Sequence, residues 1–441
     1  MRIRGLIIAA IVFVALAGTL YWSNHRKPAE EVGKASADSP PAILKLDEAA
    51  ITKLELKKKD AESILLSRNS SGTWQIVQPK LLNADQSAVT SAIATLSSLN
   101  SERLVEERAS DLKPYGLNHP AVEVVVTESN NRTQTLLIGD DTPTGGAVYA
   151  MLAGDPRVFT MASYNKSSLD RSLNDLRDKR LLTASADKVS RLELIRKNQE
   201  IEFGRNKDEW QILKPKPLRA DSVQVGDLLG KLTAARMELS GSDKEFKEAA
   251  SAFAHATPVA SARVTDQSGT QELQVRKNKD TYYAKSSVVE GVYKVDTSLG
   301  QALDKGLDDF RNKKLFDFGY NDPNKIEIHS GTKAHFLSRS GTDWWSNGKK
   351  MDAGGVQDFV WKLRDLAASK FVESGFTSPA MEVTVTSDDG KHVERVSIAK
   401  SDGNYIAKRQ NDPTLYQLDS SSVDGLQKAA DDVKPAAAPG R

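Results

Sequence analysis

Apolar and polar residues alternate along Ile51 to Lys57, Ser63 to Arg68 and Thr73 to Val77, around the turn-forming Asn69-Ser70-Ser71-Gly72. This predicts three antiparallel strands with one face in water. At Asp85 the period changes: Val89, Ile93 and Leu96 recur at helical spacing behind an aspartate suited to an N-cap, so one apolar stripe can lie on a sheet. Pro120 then opens a second β-rich run over Val122 to Thr127, Thr135 to Ile138, Val148 to Met151 and Val158 to Met161. Proline suits the start of a strand, where no ladder donor is missed. A second helix follows, ending in Asp175-Leu176-Arg177-Asp178-Lys179-Arg180-Leu181-Leu182. The element order is βββαββββα.

The same order returns twice. Lys53-Leu54-Glu55-Leu56 reappears as Arg191-Leu192-Glu193-Leu194 and as Lys325-Ile326-Glu327-Ile328, at spacings of 138 and 134 residues. Trp74, Trp210 and Trp344 follow, then Asp85, Asp221 and Asp352 as helix caps, then Pro120, Pro258 and Pro379. Behind Asp221 the stripe is Val225, Leu228, Leu229 and Leu232, and Gln224 is placed to complete a capping box. Behind Asp352 it is Val356, Phe359, Val360 and Leu363. Asp309-Phe310-Arg311-Asn312-Lys313-Lys314-Leu315-Phe316 matches the motif that ends the first copy. Leu181, Leu182, Leu315 and Phe316 are read as hydrophobic plugs that dock one module on the next, with basic side chains snorkelling around them. The expected fold is therefore α+β, three tandem modules of antiparallel sheet and two helices: residues 43–182, 183–316 and a divergent 317–433, with a disordered tail at 434–441.

Gly5 to Trp22 carries no charge, follows Arg2 and Arg4, and precedes His25, Arg26 and Lys27. Its length covers most of a hydrocarbon core of ~30 Å, and Tyr21 and Trp22 stand where aromatic rings prefer the membrane interface. Residues 1–27 are read as a single transmembrane anchor in contact with lipid, and 28–42 as a flexible tether rich in Pro, Ala, Ser and charge. The rival is a cleaved signal peptide, since Ala15-Leu16-Ala17 has the form a signal peptidase accepts. Either reading places the bulk of the chain outside the cytoplasm.

Charge narrows the partners. Sixty-one basic against fifty-nine acidic residues leave a net charge of +2, which disfavours nucleic acid. There is no cysteine, which excludes disulfides, thiolate metal sites and a cysteine nucleophile. No nucleotide loop, serine-hydrolase elbow or zinc-protease motif occurs, so no cofactor, metal or enzymatic activity is expected. His329 and His335 flank a hairpin near Glu327 and are read as solvated rather than metal-bound. Glu55, Glu193 and Glu327 are read as charges on the open sheet face, only diagonal to Lys53, Arg191 and Lys325. The three repeated tryptophans are read as core. Trp345, beside Trp344, must face the other way; with Tyr283 and Tyr405 it makes up the candidate interaction surface.

Several stretches together resemble a bacterial family, domain of unknown function 4340. They are Arg26-Lys27-Pro28, Gly72-Thr73-Trp74-Gln75-Ile76, Tyr115-Gly116-Leu117 before Pro120, Leu137-Ile138-Gly139-Asp140 with Thr142-Pro143-Thr144-Gly145, and Asp175-Leu176-Arg177-Asp178-Lys179. The likeness is good over residues 1 to 182, weaker over 183 to 316 and faint beyond, where the Ile-Gly-Asp turn is missing. It implies a single-pass protein of the bacterial inner membrane with its bulk in the periplasm. It further implies an accessory role beside an ABC-type permease or a gliding-type auxiliary protein, and it carries over no catalytic residue. The expected function is a non-enzymatic scaffold of an envelope complex. The alternatives are a periplasmic glycan- or peptide-binding module and, third, a hydrolase.

Overall fold

The computed structural model describes residues 42–197, 199–207, 209–239, 243–319 and 322–437. The expected anchor with Tyr21 and Trp22, nearly all of the tether and the last four residues lie outside these. Among the described residues no helix is long and apolar enough to cross a membrane.

Each alternating run becomes a strand, and the strands form three antiparallel sheets. Across the first sheet the order is Leu82–Asn83, Trp74–Gln78, Ile64–Arg68, Ile51–Lys58, Val122–Glu128, Thr133–Asp141, Ala147–Leu152, Val158–Ala162 and Arg103–Glu106. The run Ile51–Lys58 sits at the centre because it pairs on both sides, Leu54 with Leu66 and with Val126. The second sheet repeats this with Leu218–Arg219, Glu209–Lys214, Gln199–Asn206, Arg191–Arg196, Thr257–Asp266, Gly269–Asn278, Thr281–Ser286 and Val292–Val295. The third runs Lys349–Lys350, Asp343–Ser346, Lys333–Ser340, Lys325–Ser330, Met381–Ser387, His392–Ser401, Asn404–Arg409, Leu415–Leu418 and Lys370–Val372. Each sheet thus begins on an edge strand of only two residues. These edge strands, and Arg103–Glu106 and Lys370–Val372 on the far side, are too short to show in a periodicity and add to the expected order.

Helices cover one face of each sheet. Gln86–Ser97, Ser222–Thr233 and Ala353–Asp365 begin at Asp85, Asp221 and Asp352, whose carboxylates accept backbone N–H bonds from the first turn as expected. Gln224 does not complete a capping box: its Oε1 accepts from Lys305 Nζ at 2.9 Å, and the Asp221 backbone N–H donates instead to the Phe310 carbonyl at 2.8 Å. The same donation recurs from Asp85 to Leu176 and from Asp352 to Lys434, each at 2.8 Å. So the closing segment of every copy is tied to the start of its first helix.

The expected second helix is two short pieces in the first two copies, Ser163–Leu169 with Leu173–Leu176 and Thr297–Leu303 with Leu307–Phe310. The break has a local cause. Ser172 and Gly306 act as new caps, with Asp175 and Asp309 reaching back to their backbone N–H groups. At the equivalent place the third copy has Lys428-Ala429-Ala430, all good helix formers, and one helix runs from Ser420 to Asp432. The second copy alone inserts a helix, Asp243–Ala254, over its last three strands.

Three large cores result, Ile43 to Leu176, Leu181 to Phe310, and Leu315 to Ala430, with a small fourth cluster of Leu117, Met151 and Val158 in the first copy. Trp74, Trp210 and Trp344 are buried in them. One compact unit ends at Asp178; a second begins at Lys179 and holds the other two sheets. Leu181 and Leu182 are fully buried in the second core, and Leu315 and Phe316 in the third. They pack in the core that follows each junction. Ile43 and Leu44 do the same in the first copy, and the backbone agrees: Ile43, Leu181 and Leu315 donate to Leu99, Ala235 and Leu366 just after each first helix.

Candidate functional site

The uncovered face of each sheet is charged, with the repeated glutamates among its charges. In the second sheet a ladder crosses five strands. Lys214 lies 2.8 Å from Glu200 and 3.0 Å from Glu202, Arg191 lies 2.9 Å from Glu202 and 3.1 Å from Glu193, and Arg263 lies 3.5 Å from Glu193 and 3.0 Å from Glu272. The Gln274 amide, and then Arg263 and Ser261 against the effect of burial, hold the Glu272 carboxyl below its ordinary value. Glu200 and Glu202 raise the Lys214 ammonium. Glu193 and Glu327 each pair with the cation two residues back on their own strand, Arg191 and Lys325, so the contact is direct rather than diagonal. Glu55 departs from this: it accepts from Ser63 Oγ at 2.8 Å and pairs with Lys57 at 3.7 Å.

The third sheet carries aromatic rings on that face. Trp344 is 6% exposed and Trp345 38%, as adjacent strand residues require. Trp345 is opposite Ser338, and Phe336, two residues along on the same face, is 42% exposed. The His329 ring meets Phe336 edge to face at 5.3 Å. His335 points to the other side and contacts Asp431 at 3.2 Å, so the two imidazoles cannot share a metal. Among the described residues no cluster of metal-ligating side chains occurs.

The three aromatic residues expected to form one surface are apart. Tyr405 is on the strand Asn404–Arg409, five strands from Trp345 or about 24 Å at sheet spacing, with its hydroxyl 3.3 Å from Asp424. Tyr283 is in the second sheet, in a cleft of about 180 Å³ with Phe246, Tyr293 and Lys294. Phe336 was missed because its strand alternates weakly. The usable signal was its position beside His329 in a two-residue hairpin whose register follows from Gly331.

A second cluster was not visible in the sequence. Gln134, Gln271 and Glu394 occupy equivalent positions, opposite Val126, Val264 and Val385, and each holds the opening segment of its copy. Gln134 donates to the Lys45 carbonyl, Gln271 accepts from the Thr183 N–H and Glu394 accepts from the Asp317 N–H, at 2.8, 2.8 and 2.9 Å. Only the third copy uses a charged residue. Arg409 answers it, 2.9 Å from Glu394 and 3.0 Å from Asp317. Arg219, from the edge of the second sheet, reaches Asp317 at 2.5 Å and the Tyr416 hydroxyl at 3.1 Å. Burial would raise the Asp317 carboxyl, but the two guanidiniums outweigh it and hold the group below its ordinary value. Burial and Asp412 push the Tyr416 hydroxyl up against Arg219. This cluster joins the second and third sheets through paired charges.

The profile of the family described as Domain of unknown function (DUF4340) matches residues 74–217 and again 210–379. No curated protein matches. Among solved structures, the chain aligns with the crystal structure of DNA polymerase sliding clamp from Pseudomonas aeruginosa with ligand at 7% identity and a TM-score of 0.16, over 86% of this chain and 93% of that one. A score of that size carries no argument about fold or function.

Proposed function

The chain belongs to the family described as a domain of unknown function, DUF4340, and from that premise we propose that it is a non-enzymatic scaffold or accessory subunit of an envelope complex, of ABC-transporter type. In this reading Gly5 to Trp22 anchors it in the inner membrane and the three sheets lie on the periplasmic side. The observation that carries it is the exposed group of Trp345, Phe336 and His329 on an otherwise charged sheet face. Aromatic residues that stand open on a flat, hydrogen-bonded platform are characteristic of the centre of a protein interface.

The test is purification of the tagged full chain from native membranes in mild detergent. The expected result is recovery of permease or auxiliary subunits with the wild type and their loss with Trp345→Ala plus Phe336→Ala. A chain that always runs alone would overturn the reading. Protease added to intact spheroplasts checks the side of the membrane: cleavage within residues 29–41 is expected, and protection until lysis would place the sheets in the cytoplasm.

A further inference from the structure

A groove of about 690 Å³ opens at one end of the second sheet. Arg196, Lys197, Lys277 and Lys279 line it together with Pro258 and Val259, with Asp304 as the one carboxylate. Four cations against one anion is a strong local excess in a chain whose net charge is only +2. Arg196 has a partner, at 2.6 Å from Asp304, and the equivalent Lys58 and Asp170 make the same tie in the first copy. Lys277 lies over the Tyr282 ring at 5.2 Å. Lys197 and Lys279 have no ion-pair partner among the described residues.

The backbone sharpens the case. Lys197 and Lys279 occupy hairpin turns at φ of 25° and 54°, a region that favours Gly, Asn or Asp and disfavours a long side chain. The equivalent turns elsewhere conform: Asp60 and Gly331 stand for Lys197, and Asp402 for Lys279. Two lysines thus take left-handed turn positions beside one groove, where the left-handed residues of the equivalent turns are Asp or Gly; in the first copy a lysine, Lys59, directly precedes that position.

We propose that this groove binds the phosphate of an anionic ligand. Lysine ammonium groups act as compact point charges and bind phosphate without the planar fork that carboxylate pairing exploits in arginine. The phosphate source is either a free polyphosphorylated molecule or a phospholipid headgroup.

The experiment titrates the detergent-solubilised full chain at low salt with sodium tripolyphosphate, with soluble short-chain phosphatidylglycerol and with the phosphatidylcholine of equal chain length, by calorimetry. The variant Lys197→Gly plus Lys279→Gly removes the two charges and puts at both turns the residue that their positive φ favours, with urea unfolding beside the wild type to confirm that it folds. It is expected to bind tripolyphosphate, or phosphatidylglycerol if the headgroup is the source, at least about tenfold more weakly. Lys207→Gly is the control, since Lys207 has the same left-handed backbone, at φ 55°, in the next hairpin turn and so at the opposite end of the sheet. It should bind as the wild type does. Absence of binding to both phosphate probes, equal binding by the double variant, or phosphatidylcholine bound as well as phosphatidylglycerol would each overturn the assignment.

Discussion

Gly139 lies so close to Tyr115 that a β-carbon on it would stand 2.1 Å from the Tyr115 carbonyl oxygen. The approach is reciprocal: a β-carbon on Gly116 would meet the Asp140 carboxylate at 2.4 Å, and Gly116 has φ of 65°. The Tyr-Gly-Leu and Ile-Gly-Asp stretches that carry the family resemblance are therefore two halves of one interlock. Tyr115 completes it, with its hydroxyl 2.8 Å from Glu106 and its ring edge-on to Tyr149 at 5.0 Å.

Gly139→Ala is accordingly expected to destabilise the first sheet by about 1–3 kcal/mol, the usual cost of forcing atoms into a filled space. Gly226→Ala, on the helix Ser222–Thr233 with nothing within 4 Å of the new methyl, is expected to stabilise by about 0.5–1 kcal/mol. Urea unfolding of the two variants beside the wild type reads both signs.

The adjacent tryptophans should behave oppositely. Trp344→Ala empties a buried position and is expected to cost about 3–5 kcal/mol. Trp345→Ala should leave the unfolding midpoint nearly unchanged while reducing recovery of partner subunits. A Trp345 variant as unstable as the Trp344 one would show that its ring is packed rather than presented.

Local signals were legible in the sequence and distant ones were not. The caps Asp85, Asp221 and Asp352 and the stripe Val89, Ile93, Leu96 follow from backbone chemistry within a few residues, and they stand where the periodicity put them. The break at Ser172 was equally local but was overlooked, because Ser172 and Asp175 spell a capping box. Gln224 was misassigned because Lys305, its partner, is 81 residues away. The placing of the aromatic residues is equally non-local. Trp345, Tyr283 and Tyr405 look alike as aromatic residues in strands, and only the order of strands shows that Trp345 and Tyr405 are five strands apart and Tyr283 is in another sheet.

Asp317 gives a pH prediction. Its carboxyl is held below the ordinary value in the fold, so the stability it contributes is complete above the unfolded-state value near pH ~4 and is lost as pH falls through the lower folded value. Asp317→Asn should be less stable than the wild type at neutral pH and should lose less on acidification from about pH 5 to about pH 2. Parallel loss in the two proteins would mean that Arg219 and Arg409 draw nothing from that charge.

The two-residue strands Leu82–Asn83, Leu218–Arg219 and Lys349–Lys350 close one side of every sheet. A broad antiparallel sheet otherwise offers a row of free backbone donors and acceptors to any extended segment that passes, including its twin on a neighbouring molecule. Here the row is cut to two residues, too few to template another strand. Copies crowded together are therefore not joined along this side of the sheets, and contacts there are chosen through side chains rather than by backbone accretion.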